Sequence, residues 1–333
     1  MLPLSVLDLS PITQGSDAGT SLRNSAELAA HAERLGYKRF WMAEHHSMPG
    51  IASAATAVAL GFVGSQTSTI RIGAGGIMLP NHAPLIIAEQ IGTLEALYPG
   101  RVDLGLGRAP GTDQAAAYAM RRNLASDANQ FPNDVVELMG YFRGENGRVR
   151  AIPGEGANIP IWILGSSLFG AQLAAMLGLP YAFASHFAPQ MMMEAIRVYR
   201  EQFKPSEQLA EPYVMLGFNA IVADTDEEAE LLATSVQQAF VSLRTGHPMQ
   251  LPPPKAGYAD ELPLEARAIL KLVLSVSAIG SPETARRQVA QFVERTKPDE
   301  LMITAQVYDH QARLRSYELL MHAVRQPTDA LVS

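Results

Sequence analysis

A carboxylate and two imidazoles follow one another at the end of an apolar run. The segment FWMAEHHSMPG at residues 40–50 places Glu44, His45 and His46 directly before a Pro-Gly turn. Successive side chains of an extended strand point to opposite faces, and no HxH spacing occurs in the sequence, so no metal site is predicted. Proton transfer by one of the two imidazoles, tuned by the neighbouring carboxylate, fits better, with a hydrogen-bonded structural histidine as the alternative.

A second group of residues has the composition of a phosphate site. In ILGSSLFGAQLAA, the residues Gly165, Ser166 and Ser167 stand where a helix begins, with free N–H groups, hydroxyls and the positive end of the helix dipole. A serine that only caps the helix is the alternative. Arg108, in DLGLGRAPG, follows another predicted strand, and its guanidinium can supply the bidentate partner that a phosphate prefers.

Three glycines fall within four positions of the segment IRIGAGGIM. They cost backbone entropy without adding packing, so something is expected to lie against this strand end. A flat ring stacked on Gly75 and Gly76, a strained peptide bond or a β-bulge would each account for them.

These candidate residues all follow predicted strands, and the strands alternate with helical segments. Alternation of this kind requires parallel pairing with right-handed crossovers. Eight units favour an α/β fold of the (β/α)₈ TIM barrel type over a doubly wound sheet, because no GxGxxG follows the first strand. The active site of a barrel lies at the carboxyl ends of its strands, which also makes Ser185 a candidate contact. The strands are predicted near residues 4–9, 39–43, 70–74, 102–106, 161–164, 182–185, 216–222 and 301–305.

One barrel domain over residues 1–325 accounts for most of the chain. A Pro-rich segment at 246–266, after the seventh strand and its helix, is predicted to be an inserted lid, and residues 107–130 lengthen the fourth connection. Residues 326–333 are expected to form a loose tail. Gly36 and Gly178 each follow a helical pattern and are predicted to be left-handed C-terminal caps.

Charge and composition exclude several classes of protein. The 333 residues include 26 Lys and Arg against 33 Asp and Glu, a net charge of −7, so attraction to nucleic acid phosphates is not expected. The longest weakly polar stretch, residues 53–64, is too short to span a bilayer. The absence of cysteine excludes disulfides and thiolate metal sites and fits a cytoplasmic location.

Five segments, in their order and spacing, resemble the bacterial luciferase-like flavin monooxygenases, and within them the single-chain group-one luciferase-like oxidoreductases. The resemblance implies FMN bound at the carboxyl ends of the strands, with its phosphate at Arg108, Ser166 and Ser167. It also implies a non-prolyl cis peptide at Gly75–Gly76 beneath the isoalloxazine, and His45 matches the family's histidine near the reacting face of the flavin. The segments are WMAEHHSMPGIASAA, IRIGAGGIMLPNHAPLIIAEQ, YPGRVDLGLGRAPGTD, ILGSSLFGAQLAAMLGLPYAFASHF and YDHQARLRSYEL.

The resemblance further implies a two-component monooxygenase. Reduced FMN from a separate NAD(P)H:flavin reductase would react with dioxygen to oxygenate a small organic substrate, which the sequence does not identify. A homodimer built on the helices after the second and third strands is expected. Light emission is not, because family members that emit light carry a cysteine near the flavin and this chain has none.

Three alternatives stay open beside this interpretation. The first is a deazaflavin-dependent oxidoreductase of the same fold, and the second is a flavin-binding protein without turnover. The third, a metal-dependent hydrolase using His45, His46, His186 and Asp8, is disfavoured because HxH is absent and the glycines stay unexplained.

Overall fold

Parallel strands close into a barrel in the computed structural model, which describes residues 2–108, 119–120 and 130–325. Within these residues the strands are β1 (Leu4–Asp8), β2 (Arg39–Met42), β3 (Arg71–Met78), β4 (Val102–Gly107), β5 (Ile161–Gly165), β6 (Tyr181–Phe183), β7 (Val214–Val222), β8 (Ser277–Gly280) and β9 (Glu300–Thr304). Each strand from β1 to β7 pairs with the next, β7 pairs with β9, and β9 returns to β1. The predicted (β/α)₈ barrel is confirmed.

Strand β8 lies outside the eight-stranded ring and was not predicted. It pairs with the second half of β7, from Asn219 to Val222, whereas β9 pairs with Met215 to Asn219, so the two pairings meet at Asn219. The strand is short, with the sequence SAIG, and its residues alternate between partly buried and buried. It therefore lacks the continuous apolar run of a strand covered on both faces. The excursion between β7 and β9 is therefore longer than the predicted insertion at 246–266.

Helices surround the barrel and connect its strands. Gly36 and Gly178 end two of them in the left-handed conformation, with φ of 78° and 65°, as predicted. The helices are α1 (Ala18–Leu35), α2 (Thr56–Ser65), α3 (Pro84–Leu97), α4 (Phe131–Arg143), α5 (Leu168–Leu177), α6 (Met192–Gln202), α7 (Asp226–Arg244), α8 (Tyr258–Glu261), α9 (Leu264–Val273), α10 (Pro282–Thr296) and α11 (His310–Arg325).

The hydrophobic core has two layers separated by the strands. Phe40 and its outward neighbours pack against the helices, whereas Trp41 faces the barrel interior. Trp41 contacts Trp162 edge to face, with ring centroids 5.3 Å apart. Alternate residues of each strand therefore fill different layers, as the period of a pleated strand requires.

An ion-pair layer closes the barrel at the amino ends of the strands. The Arg39 guanidinium lies 2.7 Å from an Asp103 carboxylate oxygen and 2.8 Å from one of Glu300, and all three side chains are buried. Arg71 adds a second guanidinium at 2.7 Å from Asp103. Burial alone would raise the pKa of Glu300, but the charge and hydrogen bonds of Arg39 outweigh it and lower that pKa.

Two further expectations concern the ends and loops of the chain. The predicted tail, residues 326–333, and most of the long fourth connection lie outside the described residues. Among the helices that the structure describes, none combines the length and the apolar character needed to cross a membrane.

Candidate active site

The loop after β2 carries the histidines and is fixed to the barrel through its backbone. The Ala43 N–H donates to the Asp8 carbonyl at 3.0 Å, and the Ser53 hydroxyl donates to the Ala43 carbonyl at 2.5 Å. His45 and His46 are both half-buried and contact different partners, as their adjacency predicted. The barrel therefore holds this loop at the carboxyl end of β2.

Glu44 is the centre of a hydrogen-bond cluster between β2 and β3. Its Oε1 lies 2.6 Å from His46 Nε2 and 2.8 Å from His82 Nε2, and its Oε2 accepts the Met78 N–H at 3.0 Å. Burial alone would raise the Glu44 pKa, but the hydrogen bonds from His82 and His46 lower it, so the carboxylate is charged near neutral pH.

The glycines of β3 form a bulge with a cis peptide bond between Gly75 and Gly76. The neighbours that require glycine are protein atoms: a β-carbon on Gly75 would lie 2.8 Å from Leu7 Cδ1, and one on Gly76 would lie 2.7 Å from the Gly105 carbonyl oxygen. Close packing thus supplies a reason for these residues that does not depend on a ligand. Of the three explanations offered by the sequence, the bulge and the unusual peptide bond are both present, the second as the non-prolyl cis peptide that the resemblance implied.

Arg108 and the turn before α5 lie on neighbouring strand ends. Gly107 pairs with Leu164, so the next residues of β4 and β5, Arg108 and Gly165, face the same rim. The Arg108 guanidinium stacks 4.4 Å from the ring centroid of Phe169 in the first turn of α5. The residues predicted to hold a phosphate are therefore brought together.

Ser167 is the N-cap of α5, but its side chain makes no capping hydrogen bond. In contrast, Asp17, Thr225 and Ser281 accept N–H groups at the starts of α1, α7 and α10. Ser166 and Ser167 are both exposed. Ser167 therefore does not cap the helix through its side chain, as is also true at the starts of α2, α3 and α6. The first N–H groups of α5 have no side-chain acceptor at this cap.

Ser185 has a different placement from the other candidates. It is fully buried, and its hydroxyl donates to the Gly217 carbonyl at 2.7 Å, which joins the end of β6 to β7. The Asn219 side-chain amide donates to the next carbonyl, that of His186, at 2.8 Å. Ser185 thus positions His186 rather than facing the mouth of the barrel.

His186 approaches the barrel mouth because Gly217 has no side chain. A β-carbon on Gly217 would fall 2.0 Å from His186 Nδ1, a nitrogen that is enclosed and has no hydrogen-bond partner among the described residues. Burial, and secondarily the nearby His45, lowers the pKa of His186 to about 4. His186 is therefore neutral near pH 7, and His45 lies close enough to influence it.

A cavity opens at this end of the barrel. Its walls are mainly apolar and include Leu7, Trp41, Gly75, His186 and Met302. The inserted segment reaches the same rim: the Leu251 N–H donates to the Ile12 carbonyl, and the Gln14 N–H donates to the Leu251 carbonyl, each at 2.9 Å. Part of the insertion therefore docks on the loop after β1.

The sequence interpretation did not assign roles to Glu44 or His82, and it gave His186 a role only in the disfavoured metal-dependent hydrolase. Glu44 was noted only as a neighbour of His45, and His82 stands in the turn LPNH, far along the chain from it. The signal that could have linked them is the pairing of β2 with β3, which brings the residues after both strands to one place. The space that Gly217 leaves for His186 is a contact between the neighbouring strand ends of β6 and β7, which the sequence pattern does not show.

Comparison with known proteins points to one family. A family model described as luciferase-like monooxygenase matches residues 2–299. A protein of Escherichia coli K12 named luciferase-like monooxygenase is 51% identical over 322 residues, covering 96% of each chain. The crystal structure of apo-MsnO8 has a TM-score of 0.86 and 32% identity, covering 97% of this chain and 98% of that one.

Two more distant solved structures share the fold. The oxygenating constituent of 3,6-diketocamphane monooxygenase from Pseudomonas putida, in complex with FMN, has a TM-score of 0.71 at 19% identity, over 97% of this chain and 98% of its own. An F420-dependent secondary alcohol dehydrogenase has a TM-score of 0.69 at 16% identity, over 98% and 99%. FMN and F420 are the cofactors of those two proteins, and for this chain the two matches show the fold only.

Proposed function

This chain belongs to the luciferase-like monooxygenase family, and from that premise we propose that it uses reduced FMN and dioxygen to oxygenate a small organic substrate. Family membership supports an oxidoreductase. The observation that carries the choice of FMN is the anion site formed by Arg108, stacked on Phe169, and the uncapped turn at Ser166 and Ser167. A flavin mononucleotide requires such a phosphate site next to a place for its ring.

The phosphate end fits the residues that are present. Arg108, Ser166 and Ser167 are exposed at one rim, and the helix that follows them presents unpaired N–H groups. Stacking on Phe169 fixes the plane of the guanidinium, so less freedom is lost when it binds an anion. Gly165 leaves room beside this turn, because an added β-carbon would meet only the α-carbon of Gly170, at 3.9 Å.

The ring end would occupy the mouth of the barrel beside Gly75 and Gly76. Bound reduced FMN supplies the electrons with which dioxygen gives one oxygen atom to the substrate and the other to water. The apolar walls of the cavity exclude water from this region. The docked insertion, whose Leu251 is buried against the loop after β1, is the proposed lid.

His45 is the proposed proton-transfer residue. It lies at the barrel mouth near His186, and the loop that carries it is anchored on both sides. Burial keeps His186 neutral near pH 7, so His186 is not the proposed proton donor of this pair. His45 can then deliver a proton to the reacting centre, while His186 positions it.

Removing the Arg108 guanidinium tests whether this residue contributes to the affinity for FMN. We expect Arg108→Ala to weaken the affinity for FMN about 10- to 100-fold, because one charge-assisted contact contributes about 1.5–3 kcal/mol. Fluorescence quenching measures the oxidised flavin, and anaerobic titration the reduced one. His45→Ala should have a much smaller effect on both affinities.

A matched control for that experiment is Arg244→Ala. Arg244 also stacks on a phenylalanine, Phe187, with 4.9 Å to the ring centroid, but it does not adjoin the α5 turn. Equal losses in both variants would mean that the Arg108 site does not hold the phosphate. If the wild-type protein binds neither form of FMN below millimolar concentration, the proposed function is wrong.

The same titration separates the alternatives. Relatives at high identity carry the monooxygenase name, whereas the F420-dependent fold match has 16% identity, which favours FMN over a deazaflavin. Tighter binding of a deazaflavin than of reduced FMN would reverse this choice. Substrate-dependent oxygen consumption, with reduced FMN supplied by an NAD(P)H:flavin reductase, would exclude a flavin-binding protein without turnover. Because reduced FMN persists only under reducing conditions, we place the reaction in the cytoplasm.

A homodimer is the proposed assembly, and an apolar surface on α2 and α3 supports it. Val58 and Phe62 project from α2 with 76% and 42% exposure, and Ile86 and Leu97 from α3 with 46% and 62%. Sedimentation should give twice the chain mass of 35.9 kDa, and Val58→Asp with Leu97→Asp should give the monomer. Leu264→Asp, at an exposed leucine of α9, is the control and should leave the mass unchanged. A monomeric wild-type protein would contradict the proposal.

A further inference from the structure

We propose that Glu44, His46 and His82 form a binding site for a transition-metal dication of the zinc class. The site is separate from the phosphate rim at Arg108 and does not depend on the proposed function. Two imidazoles and one carboxylate are the ligand set that zinc takes in three-ligand sites with an open fourth position. The sequence analysis predicted no metal site: it considered the pair His45 and His46 and a set with His186 and Asp8, but not Glu44 with His82.

The distances place all three ligand atoms around one point. His46 Nε2 and His82 Nε2 lie 2.6 and 2.8 Å from Glu44 Oε1, and all three atoms lie within 4.8 Å of one another. Tetrahedral zinc, with bonds of about 2.0–2.1 Å, needs ligand atoms roughly 3.3 Å apart. The two distances from Glu44 Oε1 to the imidazole nitrogens would have to lengthen by about 0.5–0.7 Å for an ion to replace the two shared protons.

The cluster is also held from outside, as a metal site requires. Glu44 is 1% exposed, and the Met78 N–H fixes its second oxygen at 3.0 Å. Such outer contacts orient a ligand and retain its charge. The ligands come from the loop after β2 and the turn after β3, two strands paired through Arg39–Met42 and Arg71–Ala74. Their positions are therefore set by the barrel rather than by a single loop.

Solvent can reach the cluster from the imidazole side. The His46 and His82 side chains are 20% and 26% exposed, whereas the carboxylate lies behind them. An ion can enter without opening the barrel, and water can complete its coordination. The choice of zinc-class metals over magnesium follows from the nitrogen ligands, since magnesium prefers oxygen.

An occupied site would act on the neighbouring histidine. His45 lies between Glu44 and His46 in the chain, so a metal that holds both fixes the loop carrying it and adds positive charge beside it. Binding of the metal to Glu44, His46 and His82 is measurable without any flavin or substrate.

The test is calorimetric titration of the untagged full-length protein with Zn²⁺, with Co²⁺ as a spectroscopic probe. We expect one ion per chain, a Co²⁺ visible spectrum typical of tetrahedral coordination, and no binding of Mg²⁺ in the same range. His82→Gln keeps an N–H donor toward Glu44 but removes the ligand nitrogen. It should weaken Zn²⁺ binding at least about 10- to 100-fold.

The control variant is His310→Gln. His310 also pairs with a carboxylate, with Nε2 3.2 Å from Glu27 Oε2, but this pair is not part of the three-ligand cluster, so its loss should not change the affinity. If wild type, His82→Gln and His46→Gln all bind Zn²⁺ equally, or if wild type binds none, the cluster is a hydrogen-bond network only and the proposal is wrong. The Co²⁺ spectrum of the wild type decides the question if either variant fails to fold.

Discussion

Replacing His45 by Asn should lower the rate of substrate oxygenation about 10²- to 10⁴-fold while the affinity for FMN changes little. The physical reason is that a positioned imidazole exchanges protons near neutral pH, whereas an amide of similar size cannot. Neutral His186 does not replace it, because burial lowers the pKa of His186 to about 4. The measurement is the rate of product formation, with any substrate that the wild-type protein oxygenates. Product and hydrogen peroxide are also compared with the dioxygen consumed.

The informative comparison is with the phosphate-site variant. Arg108→Ala should lose affinity and recover its rate at saturating FMN, whereas His45→Asn should keep its affinity and stay slow. His322→Asn, at an exposed histidine near the end of α11, provides the control for losing an imidazole elsewhere. An unchanged rate in His45→Asn, with product still formed, would remove His45 from the reaction.

Arg39→Met should destabilise the protein by about 3–5 kcal/mol, because it leaves the carboxylates of Asp103 and Glu300 buried without their shared cation. Both are fully buried, and Arg39 is 5% exposed, so water cannot replace the lost contacts. Arg71 still reaches Asp103, and the partly exposed Lys38 still lies 3.3 Å from Glu300, but neither cation bridges the two carboxylates as Arg39 does. Urea unfolding at one fixed protein concentration measures the change.

The control is Arg197→Met on α6, which breaks exposed pairs with Glu194 and Glu201 and should leave the unfolding midpoint almost unchanged. A small loss in Arg39→Met, comparable to that control, would show that the barrel end relaxes and admits water. The two variants remove the same charge, so the contrast isolates the effect of burial.

The acid dependence of this destabilisation has a definite sign. The folded-state pKa of Glu300 is lowered from its ordinary value of 4.5, so its contribution to stability is present above that value and is lost as the pH falls through the folded pKa. In Arg39→Met the carboxylate has lost the strongest of the groups that lower its pKa, and Lys38 and Ser5 remain. The difference between the two proteins should therefore be largest near neutral pH and shrink in acid.

Much of the fold follows from local patterns in the sequence. A parallel strand buried on both faces is mainly apolar, and all eight predicted strands overlap strands of the ring, as FWM in β2 and VMLGF in β7 illustrate. Gly36 and Gly178 end helices where only a left-handed residue fits easily. Strand β8 escaped prediction because it is short and outside the ring, so burial does not impose an apolar run on it.

The candidate site was predictable to the extent that strand order determines it. Arg108 and Ser166 follow adjacent strands, so the barrel alone predicts that they share a rim. Contacts between strands that depend on an absent side chain could not be predicted: Gly217 makes room for His186, and Gly75 makes room for Leu7 and Trp41. In sequence these glycines look alike, although their neighbours differ.

The docking of the insertion has a consequence for how such proteins diversify. A β-carbon added to Gly50 would lie only 2.3 Å from the Met249 carbonyl oxygen. The Gly50 carbonyl accepts the Ile12 N–H at 2.9 Å. Three stretches distant in the chain thus interlock through main-chain atoms, which tolerate many side chains but few changes of path. If residues 246–266 were replaced by those of a relative while residues 10–14 and 47–52 were kept, the contacting backbones would not match. We therefore expect the three stretches to change together among relatives.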